Sequence, residues 1–202
     1  MASIIEILGT LAFAISGIRL ASAKRFDWFG AYVVGLITAI GGGTIRDLLL
    51  DTTAFWMLNS IYLTVTAVAL LLVIIFGRYL IRLNNTFFIF DTIGLALFVV
   101  VGIQKTIAAD FPFWIAIIMG TITGAAGGVL RDILINEVPL IFRKEIYALA
   151  CVFGGLVYGG GLAAGLSGAT LQIVTALSVI AVRIVAVRFG LRLPTLRQNW
   201  DA

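Results

Sequence analysis

The sequence predicts an all-α polytopic membrane protein, and three observations predict it. Of its 202 residues, 61% are hydrophobic and only 12% are charged. The apolar residues gather into runs of about 20, the length an α-helix needs to cross the hydrocarbon core of a bilayer. One run, Gly35 to Leu49 (GLITAIGGGTIRDLL), returns 85 residues later as Gly120 to Leu134 (GTITGAAGGVLRDIL). Gly35/Gly120, Ile37/Ile122, Thr38/Thr123, Gly42/Gly127, Gly43/Gly128, Arg46/Arg131, Asp47/Asp132 and Leu49/Leu134 are identical in the two copies. Self-similarity at a fixed offset marks a duplicated structural unit.

Taken in order, the spans are roughly Ile4–Ala21, Trp28–Leu50, Trp56–Gly77, Thr86–Ile103, Phe113–Ile135, Glu145–Gly160 and Thr170–Arg188. The first reads as a span and not a cleaved leader, because Met1 to Ile18 has neither a basic start nor a small-residue cleavage site. The Gly-rich YGGGLAAGLSGA stretch reads as an external loop before the seventh. The connections are short, so residues 1–202 read as a single transmembrane domain. Carrying the offset outward pairs Glu6 with Asp91, Gly9 with Gly94, Phe13 with Phe98, Gly17 with Gly102, Phe26 with Phe111 and Tyr62 with Tyr147. Each copy therefore covers three spans, about 4–82 and 86–165, followed by a seventh helix at about 170–188 and a tail at 189–202. Three is odd, so the second copy enters the bilayer from the opposite face, an inverted repeat. Arg46-Asp47 and Arg131-Asp132 then fall on opposite sides of the midplane. Gly9, Phe13 and Gly17 recur every four residues, as do Gly94, Phe98 and Gly102, stripes suited to close helix packing.

The net charge of +4 is spread over short connections without aromatic interleaving, which argues against nucleic acid as a partner. It reads as a topology signal. Arg19, Lys24, Arg25, Arg78, Arg82, Arg143, Lys144, Arg188, Arg192 and Arg197 fall on one side and Lys105 on the other. By the positive-inside rule the first side is cytoplasmic, with the N-terminus outside, in a cell inner membrane. Histidine is absent and Cys151 is the single cysteine, so no metal site, no cofactor and no enzymatic nucleophile system is expected.

Glycine costs about 1 kcal/mol against alanine inside a helix, and charge is costly at membrane depth. Both features occur twice at the same relative place. If the helices break at Gly41, Gly42 and Gly43 and at Gly127 and Gly128, the freed backbone groups must be buried in protein or line a wet cavity. A half-helix ending near Thr38–Gly41 would then offer carbonyls to a cation. Thr44 and Asp47 have capping-box spacing for a half-helix beginning there; Val129 stands in place of Thr44 in the second copy. The simpler reading of the same glycines is a tight helix crossing. Arg46, Asp47, Arg131 and Asp132 need partners within the protein, whereas Arg183 is near enough to a helix end to reach the interface. Glu6 and Asp91, near the starts of the first and fourth spans, are candidates to concentrate cations at opposite mouths of a path, or else to lie solvated at interfacial depth. Ser16, Thr38 and Thr123 offer neutral oxygens to an ion, or bond back to their own helices.

GGGTIRD at 41–47, AGGVLRD at 126–132, two inverted three-helix repeats and a seventh helix resemble the prokaryotic branch of the TRIC family, the trimeric intracellular cation channels. Related bacterial sequences carry the label glycine transporter. The resemblance covers Ile4 to about Arg188. It implies a homotrimer with a pore for monovalent cations, potassium or sodium, through each subunit, and second and fifth helices kinked at the Gly motifs and lining the pore. Ala126 replaces the first glycine of the second triplet, and the lipid-binding Lys-Glu-Val motif of the animal members is not at the corresponding place. A secondary transporter of a small zwitterion such as glycine uses the same inverted-repeat design. A third reading, an assembly protein without a path, requires dry packing at both Gly motifs.

Overall fold

Among the described residues, seven α-helices account for most of the chain. In the computed structural model they are α1 (Ile4–Ala23), α2 (Trp28–Leu49), α3 (Ile61–Arg82), α4 (Thr86–Ala108), α5 (Phe113–Leu134), α6 (Ala148–Ala163) and α7 (Gly168–Arg188), with a 3-10 turn at Leu140–Phe142. The structure describes residues 3–82, 86–143 and 146–194, without the side chains of 78–82. Lys144, Glu145, Arg197, the side chains of Arg78 and Arg82, and most of the tail lie outside the described residues. Among the described residues, five helices are long and apolar enough to cross a membrane, and Ile61–Gly77 and Ala148–Ala163 are shorter apolar helices.

Local chemistry starts these helices where the polar residues stand. Ser3 caps α1: its hydroxyl accepts from the Glu6 amide at 3.2 Å, and Glu6 accepts from the Ser3 amide at 2.9 Å, a reciprocal capping box. Asp27 caps α2 by accepting from the Gly30 amide at 2.7 Å. At the other ends the duplication is written in the backbone. Arg25 and Asp110 both have left-handed φ, 62° and 61°, and so do Asp51 and Asn136, 54° and 57°. Each pair is separated by the repeat offset and follows an equivalent helix. Non-glycine residues adopt this conformation rarely, so its fourfold use marks one chain path built twice.

The equivalent helices of the two halves run antiparallel. Gly9 on α1 packs against Phe98 on α4, and Gly94 on α4 against Phe13 on α1, while the Phe13 and Phe98 rings stack with centroids 5.4 Å apart. On α2 and α5, a Cβ at Gly42 would overlap the Thr123 carbonyl oxygen, and a Cβ at Gly127 would overlap the Thr38 carbonyl oxygen. These reciprocal contacts place Arg46-Asp47 and Arg131-Asp132 on opposite sides of the crossing, as the inverted repeat requires. Lys24, Arg143, Arg188 and Arg192 line cavities at one end of the bundle, and Lys105 lines one at the other.

Three expectations need correction. α2 and α5 are continuous α-helices through Gly41–Gly43 and Gly127–Gly128, so no half-helix ends are freed there. The glycines are spent on the crossing, where only a residue without Cβ lets two backbones touch. The third helix begins at Ile61 and not at Trp56, because the Asp47 carboxylate holds the Phe55 amide at 2.8 Å and folds residues 50–60 back over the helix end. The sixth helix runs three residues beyond the expected Gly160 to Ala163, taking in Gly161, which packs on Leu171; the loop before α7 is correspondingly short.

Because the crossing tolerates no methyl group, Gly42→Ala and Gly127→Ala should each destabilise the protein by about 1–3 kcal/mol through overpacking. Gly160→Ala, where a Cβ meets nothing within 4 Å, should be neutral or stabilising by up to about 1 kcal/mol. Unfolding in detergent checks the order.

Candidate functional site

The last turn of α2 and the last turn of α5 each carry a buried arginine beside an aspartate. Arg46 Nε and Nη2 donate to Asp47 Oδ1 at 2.8 and 2.6 Å, and Arg131 Nε donates to Asp132 Oδ1 at 2.8 Å. The second carboxylate oxygen does the same work in both copies. Asp47 Oδ2 accepts from the Phe55 amide at 2.8 Å, and Asp132 Oδ2 accepts from the Leu140 amide at 3.0 Å. Each aspartate thus ties its arginine to the loop that follows its helix. A charge held this way is tolerable in a low-dielectric interior because a counter-charge lies in hydrogen-bond contact with it.

The arginines differ in what else they touch. Arg131 is 0% exposed and Nη1 also donates to Asp91 Oδ1 at 2.5 Å and to the Ser16 hydroxyl at 2.9 Å, joining α5 to α4 and α1. Arg46 lies 5.7 Å from the centre of the Phe55 ring. Position 101, which answers to Ser16, is a valine.

Glu6 and Asp91 are neither solvated nor open to a passing ion. Asp91 is spent on Arg131, and Glu6 is paired with Lys105 Nζ at 2.6 Å while buried at 5% exposure. The neutral oxygens are also engaged. Thr38 and Thr123 donate to Val34 and Met119 carbonyls of their own helices at 2.6 Å, and Ser16 holds Arg131. Thr44 lies inside α2, not at a helix start. It donates to the Ile40 carbonyl at 2.8 Å and accepts from Trp56 Nε1 at 3.1 Å. Sequence reasoning missed Lys105, Tyr147, Phe55 and Glu137 as parts of the site; the offset that pairs Tyr62 with Tyr147 was the available signal.

Two cavities flank the crossing. One, of about 250 Å³, is lined by Asp47, Leu50, Thr52, Phe55, Lys105 and Ala108 among others. The other, of about 320 Å³, includes Asp132, Ile135, Glu137, Leu140, Leu20 and Ala23. Residue for residue these sets are related by the repeat offset, so the cavities are equivalent chambers at opposite ends of the bundle. Their chemistry differs at the rim. Lys24 bonds Glu137 at 2.6 Å across the second chamber, where the first has Ala109 and Thr52. The Lys24 ammonium holds the Glu137 carboxyl below its ordinary range, helped by Arg143.

A pair of inverted three-helix units with buried Arg-Asp pairs at mirrored helix ends defines a duplicated, multi-pass α-helical membrane protein. The chain belongs to the family described as Glycine transporter, whose sequence model matches residues 3–78 and 88–162, one segment in each repeat. It is 46% identical over 156 residues to the UPF0126 inner membrane protein YadS of Escherichia coli, covering 76% of this chain and 75% of YadS. It is 43% identical over 157 residues to a UPF0126 membrane protein of Vibrio cholerae, covering 77% and 66%. Among solved structures it is similar to a TRIC cation channel, with TM-score 0.85 and 34% identity over 98% of both chains. It is similar also to the TRIC trimeric intracellular cation channel orthologue of Rhodobacter sphaeroides, with TM-score 0.87 and 30% identity over 93% and 97%.

Asp91→Asn should cost about 3–5 kcal/mol, since it leaves Arg131 buried without one of its two carboxylates; chemical unfolding in detergent measures the loss. The lowered Glu137 value means that its bridge to Lys24 contributes fully above pH 4.5 and is lost as pH falls through the folded-state value. Glu137→Gln should therefore lower thermal stability at neutral pH, and its difference from wild type should close on acidification below pH 4.5.

Proposed function

We propose that this chain is a cation channel, with a path through each subunit between the two chambers. The observation that carries this reading is their equivalence. Two cavities, each bordered by an aspartate at the end of a mirrored helix, stand on either side of one constriction. The likeness to TRIC cation channels over nearly the whole chain supports it, and monovalent cations, potassium or sodium, are the proposed permeant species. No cofactor enters the proposal.

In the conformation described, the α2 and α5 backbones touch at Gly42 and Gly127 and each aspartate is neutralised by its neighbouring arginine. Conduction on this reading requires the helices to part and the arginines to leave Asp47 and Asp132, which then present negative charge to the path. Arg46 and Arg131 are thus the gate residues, and Gly41, Gly42, Gly43, Gly127 and Gly128 the constriction. A homotrimer is proposed by resemblance, and so is an inner-membrane orientation with the N-terminus outside and the C-terminus cytoplasmic.

One observation favours a second reading. The matching family is described as a glycine transporter, and a shut centre between two mirrored chambers also suits alternating access for a small zwitterion.

Purified protein in planar bilayers separates them. A channel gives unitary currents with a cation-selective reversal potential in asymmetric salt; saturable glycine uptake without unitary current overturns the channel. Asp132→Asn should shift the reversal potential toward zero, and Gly42→Leu should reduce current at least about tenfold by blocking the crossing.

A further inference from the structure

α7 has no counterpart in the duplication, and one of its side chains reaches the site. Arg183 is buried, with its guanidinium carbon 5.1 Å from the centre of the Phe88 ring and 4.9 Å from that of Tyr147. Its Nη1 donates to the Ile146 carbonyl at 2.9 Å. Tyr147 is buried in turn, and its hydroxyl stands 2.7 Å from where a Cβ of Gly128 would lie. Arg131 Nη2 is 3.5 Å and Asp91 Oδ1 3.7 Å from that same point. Arg183 therefore packs on Tyr147, whose hydroxyl shares the surroundings of Gly128 with Arg131 and Asp91.

The first repeat solves the same packing problem differently. Tyr62 is the equivalent of Tyr147, and the Phe55 ring meets it edge-on, with centroids 4.5 Å apart at 84°. The same Phe55 ring occupies the space beside Gly43. Leu140 is the equivalent of Phe55 and has no ring to offer. In the second repeat a planar cation from outside the repeat does what an aromatic ring from the local loop does in the first. A guanidinium over an aromatic face is attracted by the ring quadrupole, most strongly where both are desolvated.

We propose that Arg183 is a positioning residue for the second mouth of the path: it holds Tyr147 over Gly128 and so keeps Arg131 seated on Asp91. The second mouth answers to α7 and the first does not. For its effect on current this rests on the channel reading; for its effect on Tyr147 it does not.

Cys151 tests it without a current. It is the single cysteine, fully buried, with Sγ 3.8 Å from the Tyr147 carbonyl one turn earlier. In the full-length chain in nanodiscs, Arg183→Gln should raise the rate of Cys151 labelling by a membrane-permeant maleimide about tenfold. Arg183→Lys, which keeps the charge but not the planar face, should give a smaller rise and guards against a variant that does not fold. Arg188→Gln, at an exposed arginine near the end of the same helix, should label as wild type. In bilayers Arg183→Gln and Tyr147→Phe should each change open probability, and the double variant should match Arg183→Gln alone. Unchanged labelling in both Arg183 variants, or effects on open probability that simply multiply, overturns the assignment. Labelling as expected in a wild-type background that carries no current overturns the channel reading and leaves the positioning role standing.

Discussion

The backbone contact between α2 and α5 is the constraint on which the rest of the structure depends. Gly42 lies against the Thr123 carbonyl and Gly127 against the Thr38 carbonyl, a reciprocal arrangement with no room for a methyl group on either side. Because lipid tails are as apolar as leucine, close approach and dispersion must supply what the hydrophobic effect supplies in water. Glycine permits that approach at the cost of helix propensity. The two halves of the molecule are locked there, and everything polar is arranged outward from it.

Moving out from the crossing, each helix ends in an Arg-Asp pair whose aspartate also grips the loop beyond. One carboxylate thus serves two ends, neutralising a buried guanidinium and fixing the wall of a chamber. Arginine and chamber wall are thus joined through one side chain, and the same arrangement occurs at both ends of the bundle.

The duplication has not stayed chemically even. Both arginines lie against an aromatic ring, Phe87 for Arg131 and Phe55 for Arg46, but Arg131 bonds Asp132, Asp91 and Ser16 whereas Arg46 bonds Asp47. Lys24 and Glu137 bridge the rim of one chamber, and the equivalent pair at the other is alanine and threonine. Sidedness in a molecule built from two like halves comes from such substitutions.

Much of this was legible in the residues. The 85-residue offset, the seven apolar runs and the odd number of spans per copy determined a duplicated membrane bundle with mirrored Arg-Asp pairs, because hydrocarbon thickness and repeat spacing are one-dimensional quantities. Sequence also reduced the threonines to two fates, and the structure chose the back-bonded one for Thr38 and Thr123. What the tertiary structure alone decided is what the glycines and charges do. Gly41–Gly43 reads as a hinge or a crossing until the partner helix is in place, and the Thr123 carbonyl against Gly42 shows that the helices cross there. Glu6 and Asp91 occupy matching places in the repeat, yet one meets Lys105 and the other Arg131. A buried charge is defined by the counter-charge brought to it from another helix, and that meeting is a property of packing that no spacing along the chain contains.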